Sequence, residues 1–461
     1  MTAVPDELPW LLLPIETKAR ELDAKVYLAC AAAEAGFRVL IGDQNALLRR
    51  LAILPRGIYF DKSVARPKVK PFRRLHRLGY RIVAGCEEGL VYLREAYLNE
   101  RIAPDALGMV DGFFAWGGHQ HTDVRAMLPH LDQKIHETGN PRFDLLRPDL
   151  RELYRPEAER LRARFGDFIL VNTNFGRFNH FFGKEKVLDI IRKRGSIRTA
   201  EDEIFFRNWI QFLGTVFRSF ADMLPMLAEA FPERTIILRP HPSENHETWR
   251  RLASDLPNVQ VISEGAAIPW LLSAAAVIHN SCTTGLEAAL LDRPVFAYRS
   301  VRSEIYDSFL PNRVSVNAES VEQLIASIGR ALHGDYVAPL QHDANARADL
   351  ARYVVSAEDV TATTRIVDRL RDIAKQQKPS EMGGAASLID HAEQLARGLA
   401  RTVLAPMRPT SSYARQKFPG LSSAEVRNLM DRYRDLSGRF GSLQIDQRHP
   451  AIFSIIARNA A

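Results

Sequence analysis

The chain has 461 residues, 46% hydrophobic and 25% charged, with a formal net charge of +7. That length exceeds what one hydrophobic core sustains and implies roughly two domains of about 150–200 residues, and the composition excludes a fibrous or wholly disordered chain. Three cysteines (Cys30, Cys86, Cys282) lie far apart without metal-ligand spacing, which argues against a disulfide framework or a zinc site and fits a reducing cytoplasm.

The opening run MTAVPDELPWLLLPIETK has acids before a short apolar stretch and no basic leader, so it does not read as a signal peptide. No apolar run approaches the ~18–20 residues of a spanning helix. A cytoplasmic protein is expected, with peripheral contact to the inner membrane face as a separate expectation for the tail. The positive charge suits anionic ligands or an anionic membrane surface. Lys and Arg read as dispersed and not interleaved with aromatics, so nucleic acid is not an expected partner.

From Trp10 to about Leu146, strand-like runs (WLLLPI, FRVLIG, GIYF, YRIVAG, GFFAWG) alternate with stretches of helical spacing such as ARELDAKVYLACAAAEAG and QNALLRRLAIL. That alternation predicts βαβ units and a mainly parallel sheet. A second series follows: DFILVNT, a helix from about Asn208 to Ala230, then TIILRP, VQVIS, AAAVIHN and PVFAY. The expected fold is α/β, with two facing Rossmann-like doubly wound domains. The boundaries read as 1–150 for a first Rossmann-like domain, 151–375 for a second, and 376–461 for a linker and a mainly helical extension. Within that extension KQQKPSEMGGAAS reads as linker, and LARGLARTVLAPMRP is amphipathic. It is expected either to pack as a helix or to lie on an anionic membrane.

In open α/β sheets, ligands bind outside the carboxyl ends of the strands. Arg239-Pro240-His241-Pro242 falls at such an end. The prolines disfavour helix for the residues before them, so His241 is expected to face a phosphate, with Arg239 supporting the turn or the charge. In AAAVIHNSCTTGLEAALLDRPVFAY, the residues Ser281, Thr283, Thr284 and Gly285 open a helix, where unsatisfied N–H donors and the dipole favour phosphate. Glu287, in its first turn, is expected to accept from ribose hydroxyls. Ordinary hydroxyl capping is the competing explanation. A third polar loop, VNTNFGRFNHFFG, brings Asn172, Thr173, Asn174 and Gly176, with Arg177 and His180 adding positive potential.

The first half is expected to supply the acceptor and a catalytic carboxylate. Candidates are Glu16, Lys18, Arg20 and Asp23 after the first strand, Glu87 and Glu88 just past another, and Asp111 with His119 and His121 around a third. Glu88 and Asp111 are the preferred pair for general-base or nucleophile roles. His119 and His121 stand two apart, not at the i, i+4 spacing of two ligands on one helix face, so no metal is expected.

Through LPIETKARELDAK, FRVLIGDQ, LPRGIYFDKS, EEGLVY, GNPRFDLL, VNTNFG, RPHPSEN, GLEAALLDRPV and QKFPGLS, the chain resembles the bacterial surface carbohydrate biosynthesis protein family, across residues 12 to about 422. Cys86 departs from the acid expected before Glu87 and Glu88. More distantly, the His-Pro pair and the Ser/Thr turn are similar to those of capsule Kdo transferases, bacterial sialyltransferases and CDP-glycerol glycerophosphotransferases. TGNPRFDLL is similar to the interdomain segment of lipid A disaccharide synthase, a match of fold more than of substrate.

The resemblance implies a GT-B glycosyltransferase. The donor would be a nucleotide sugar, CMP-linked and acidic (Kdo or a nonulosonic acid), and the acceptor a surface polysaccharide or lipid-linked glycan, with no separate cofactor. It further implies that His241 contacts the cytidylate phosphate and that Ser281, Thr283 and Thr284 contact its oxygens. The alternatives are a CDP-glycerol-type polyol-phosphate transferase, a UDP-sugar epimerase-like enzyme, and a non-catalytic glycan- or nucleotide-binding component.

Overall fold

The computed structural model describes residues 8–355, 360–376 and 418–458. They form two compact units, one built from residues up to Gly89, Arg101–Leu145 and Val354 onward, the other from Leu90–Glu100 and Leu146–Tyr353.

The first unit carries β1 (Trp10–Ile15), β2 (Arg38–Asp43), β3 (Gly57–Asp61), β4 (Arg81–Ala84), β5 (Gly112–Ala115) and β6 (Ile135–Glu137). These are joined by β13 (Leu443–His449) and β14 (Ile452–Ala457), giving the order β13-β14-β2-β1-β3-β4-β5-β6. The first six strands are parallel, whereas β14 runs antiparallel to β2. Near-continuous apolar strands such as Leu11-Leu12-Leu13, all fully buried, are what a sheet covered on both faces requires. The expected helical extension is met only in part. Helix Ser423–Ser437 packs on helix Lys18–Glu34, but the residues after it close the edge of the sheet as a hairpin. Gly42 explains how: a Cβ there would stand 2.0 Å from the Ala451 carbonyl oxygen. The stretch LARGLARTVLAPMRP and most of the predicted linker lie outside the described residues.

Helix Ala362–Lys375, read from sequence as the end of the second domain, belongs to the first unit. Its anchor is Asp144 of the PRFD segment, whose carboxylate accepts from the Ala362 and Thr363 amides, each at 2.8 Å, and from Thr363 Oγ1 at 2.7 Å. A carboxylate at a helix N-terminus satisfies otherwise orphaned donors and complements the dipole. The conspicuous GNPRFD motif therefore does structural work.

The second unit holds β7 (Ile169–Asn172), β8 (Ile236–Arg239), β9 (Val259–Val261), β10 (Ala276–His279), β11 (Val295–Tyr298) and β12 (Val316–Ala318), all parallel. Their order, β12-β11-β10-β7-β8-β9, is the doubly wound arrangement whose strand order reverses between β7 and β10, where the ligand crevice of such sheets opens. Each unit is thus Rossmann-like and α/β. Ile169, Val171, Ile236, Leu238, Ala276 and Ile278 share one core with helix Ala200–Ala230. Side chains alternate across a strand, so Asn172, Arg239 and His279 stand on the opposite face.

Candidate functional site

Register places three polar residues side by side at the carboxyl edge of the second sheet. Asn172 pairs with His279 on one side and with Arg239 on the other, and neighbouring strands are about 4.8 Å apart. The Nδ2 group of Asn172 and the Nε of Arg239 are buried without a hydrogen-bond partner among the described residues. An unsatisfied buried donor costs about 1–3 kcal/mol; two on neighbouring strands at the carboxyl edge, beside the switch point, mark a place where an acceptor group belongs. The remaining Arg239 contacts are to the Glu264 and Gly265 carbonyls, at 3.1 and 2.6 Å. Burial pulls its guanidinium down to about 10, against the raising influence of Glu287, so it stays a cation at neutral pH.

His241 lies two residues beyond β8 on the same edge. Its Nδ1 accepts from the Ser243 amide at 3.1 Å and lies 2.7 Å from Ser243 Oγ. With Nδ1 an acceptor, the neutral ring carries its proton on Nε2. Below it sits Glu244, fully buried. Its carboxyl accepts from Thr173 Oγ1 (2.8 Å), the Phe175 amide (3.1 Å), the His241 amide (3.1 Å), Trp249 Nε1 (2.8 Å) and Asn179 Nδ2 (3.4 Å). Burial raises this carboxyl above its usual range, with the donors opposing. Glu244 therefore clamps the loop after β7 to the loop after β8. The bonds Phe181 N to Ser243 O and Asn245 N to Asn179 O reinforce the clamp.

The loop after β10 is tied to the same place. Asn280 Oδ1 accepts from the Asn174 amide at 2.9 Å across the switch point. Ser281, at φ 57°, occupies a left-handed conformation that costs a non-glycine residue about 1–3 kcal/mol and concentrates at functional sites. Its hydroxyl donates to Asn312 Oδ1 at 2.9 Å. Helix Thr283–Leu290 begins here with Cys282 as N-cap, its thiol facing the Thr284 and Gly285 amides, so hydroxyl capping by Thr283 or Thr284 does not account for this turn. Thr284 Oγ1 lies 2.8 Å from Cys282 Sγ. His279 is fully buried under this turn, its Nδ1 accepting from the Cys282 amide and its Nε2 lying 2.9 Å from Ser315 Oγ. Burial pushes it down to about 3, leaving it a neutral prop. Glu287 is buried one turn in and acts electrostatically on Arg239.

Other expectations change. Arg177 is bound to Glu100 at 2.5 Å and lies over Trp209, so its charge is neutralised internally. Asp111 does not stand at a strand exit: it immediately precedes β5, 2.9 Å from Arg81 Nε, and accepts from the Ile82 amide at 2.9 Å. That is the amino edge of the sheet, away from where ligands of such folds bind, and the catalytic role expected of it is withdrawn. Glu88 does follow β4 at the carboxyl edge, 2.8 Å from Arg20, while Glu87 pairs with Arg142 at 3.3 Å. Cys86 is buried, and its carbonyl accepts from Trp116 Nε1. His121 joins Asp132 and Glu137, at 2.8 and 2.7 Å, and no metal-binding cluster occurs among the described residues.

Sequence reading named Glu16, Lys18, Arg20 and Asp23 at the first unit's own switch point, between β1 and β3, but passed over Glu21. There Glu21 is fully buried, 2.8 Å from Lys25 and 2.7 Å from Lys62. It also accepts from the amides of Glu16 and Thr17. Burial alone would raise its carboxyl, but the two ammonium groups outweigh that and hold it far below the usual range. The charges of this crevice are satisfied internally and, among the described residues, the Tyr59 hydroxyl of β3 is its orphaned group, whereas in the second unit's crevice the orphaned groups are an amide and a guanidinium donor. Ser243, Glu244 and Asn280 were missed because short polar runs read as solvated loop. The one available signal was their position immediately after strands.

No family model and no curated protein matches this chain. Among solved structures, it is similar to the wall teichoic acid polymerase TagF (10% identity, 80% of this chain and 89% of that one, TM-score 0.47). It is also similar to a UDP-GlcNAc 2-epimerase from Methanocaldococcus jannaschii (13%, 79% and 99%, 0.46) and to MnaA of S. aureus bound to UDP (12%, 82% and 100%, 0.47). Likenesses at this level carry no argument about chemistry. No helix among the described residues is long and apolar enough to cross a membrane.

Proposed function

We propose that the protein is a nucleotide-sugar-dependent glycosyltransferase of surface polysaccharide synthesis, with its donor on the second unit. The observation that supports this reading is a row of donor groups at the carboxyl edge of that unit's sheet. They are the orphaned Asn172 Nδ2 and Arg239 Nε, the Nε2–H of His241 set by Ser243, and a helix start whose N-cap is a cysteine and not a hydroxyl or carboxylate. Preorganised donors of this kind stabilise negative charge as it develops.

In the proposed reaction the bond between the anomeric carbon and the phosphate oxygen breaks heterolytically. His241 and the start of helix Thr283–Leu290 stabilise the departing phosphate, so no metal is needed for that step. The acceptor hydroxyl forms the new bond and gives its proton to a carboxylate, for which Glu88 is the candidate. Ser281, Thr283, Thr284 and Asn174 are assigned to the phosphate and sugar, and Glu287 to the electrostatics of Arg239. Identification of the donor as CMP-linked and acidic rests on the family resemblance alone.

Release of CMP from CMP-Kdo, a CMP-nonulosonic acid and CDP-glycerol, each with a glycan acceptor, tests the reading. Turnover of a CMP-sugar supports it, and turnover of CDP-glycerol alone would transfer the site to polyol-phosphate chemistry. At saturating donor, His241→Ala is expected to lower kcat by about 10²–10³-fold; undiminished turnover would remove His241 from the mechanism.

A further inference from the structure

The cations are less dispersed than composition suggests. Between Asp61 and Glu87 the chain has eight Lys or Arg residues and no acid. Four of them are committed internally: Lys62 to Glu21, Lys68 to Asp61, Arg81 to Asp111, and Arg74 to the Leu48 carbonyl. The other four, Arg66, Lys70, Arg73 and Arg77, are exposed. None of these four forms an ion pair among the described residues.

They form one stripe. Lys70, Arg73 and Arg77 lie on helix Val69–Arg77, within about 60° of one another around an axis of 3.6 residues per turn. Arg66 continues the line from the preceding short 3₁₀ turn. Phe72 and Leu75 face the interior and are buried. The Arg74 contact brings the end of helix Gln44–Arg50 alongside, with Arg49 exposed and Ile53 57% exposed just beyond it. Helix Pro104–Met109 packs beside the stripe and contributes one exposed carboxylate, Asp105.

We infer that this stripe is a docking surface for an anionic phospholipid bilayer. Several cations on one exposed helix face, next to an exposed aliphatic side chain, match a negatively charged headgroup layer. A nucleic-acid groove interleaves cations with aromatic stacking platforms, and here the aromatics of the segment, Phe72 and Tyr80, are buried. The inference is independent of the reaction proposed above.

The test is flotation of the full chain with vesicles of phosphatidylcholine containing 30% phosphatidylglycerol, and with phosphatidylcholine alone, at low and high salt. The wild type is expected to float with the anionic vesicles only, and to release at high salt. Combining Arg66→Gln, Lys70→Gln, Arg73→Gln and Arg77→Gln should weaken that partition by nearly three orders of magnitude, at roughly fivefold per cation, with an unchanged thermal melt. A control with Arg160→Gln, Arg251→Gln, Arg330→Gln and Arg352→Gln, all exposed on the second unit, removes the same charge and should still float. Failure of the wild type to float, equal loss in both variants, or retention of a 30-nucleotide RNA without vesicle binding would each overturn the inference.

Discussion

Two buried glutamates, one in each unit, are held in contrasting ways. Glu244 is surrounded by neutral donors and organises loops, whereas Glu21 is sandwiched by Lys25 and Lys62. Removing one partner of a buried ion pair leaves the other charges uncompensated, at a cost of about 3–5 kcal/mol. Glu21→Gln should lower stability by that order at pH 7. Because the folded carboxyl lies below its ordinary value of 4.5, the contribution of Glu21 is present in full above that value and is lost as pH falls toward the folded one. The gap between wild type and variant in urea denaturation should therefore shrink by about 2 kcal/mol between pH 7 and pH 3. A gap that is absent at pH 7, or that widens in acid, contradicts this account.

At the scale of elements, the donor loop depends on how closely helix Thr283–Leu290 approaches β10. A Cβ on Gly285 would stand 2.3 Å from His279 Nε2, and that ring is fully buried and hydrogen-bonded to Ser315. Gly285→Ala must lift the helix start or displace the ring, costing about 1–3 kcal/mol and lowering Tm by a few degrees. In a His279→Ala background the same substitution should cost much less. Equal penalties in both backgrounds, read by thermal melting, would show that the contact does not determine the spacing.

The central strands were legible because fully buried parallel strands are short, apolar and bounded by turn residues. Strands β6, β12, β13 and β14 were missed. Ile135–Glu137 and Val316–Ala318 are three residues long, and Leu443–His449 alternates on an edge with four of its seven residues exposed. The acidic first turn of helix Ala200–Ala230, capped by Thr199 and Asp202, hid its first eight residues because their apolar members, Ile204, Phe205 and Phe206, are consecutive and not at helical spacing.

At the scale of the whole molecule, the sequence conveyed two α/β halves and the polar loops that follow the strands of the second. It did not convey which polar residues are internally satisfied. Asp111 and Arg177 read as free charges because their partners, Arg81 and Glu100, are remote in sequence. The loops after β7, β8 and β10, by contrast, are brought together by strand order alone. The central claim is that Asn172, Arg239, His241 and the helix start at Thr283 converge on one phosphate. Calorimetric titration with CMP, CDP, UDP and GDP tests it most directly, using wild type, His241→Ala and Asn172→Leu. The account predicts a saturable isotherm with a cytidine nucleotide, weakened at least about tenfold in each variant, the loss of a charge-assisted hydrogen bond being about 1.5–3 kcal/mol. Binding of none of the four nucleotides, or binding of equal strength in all three proteins, would contradict it.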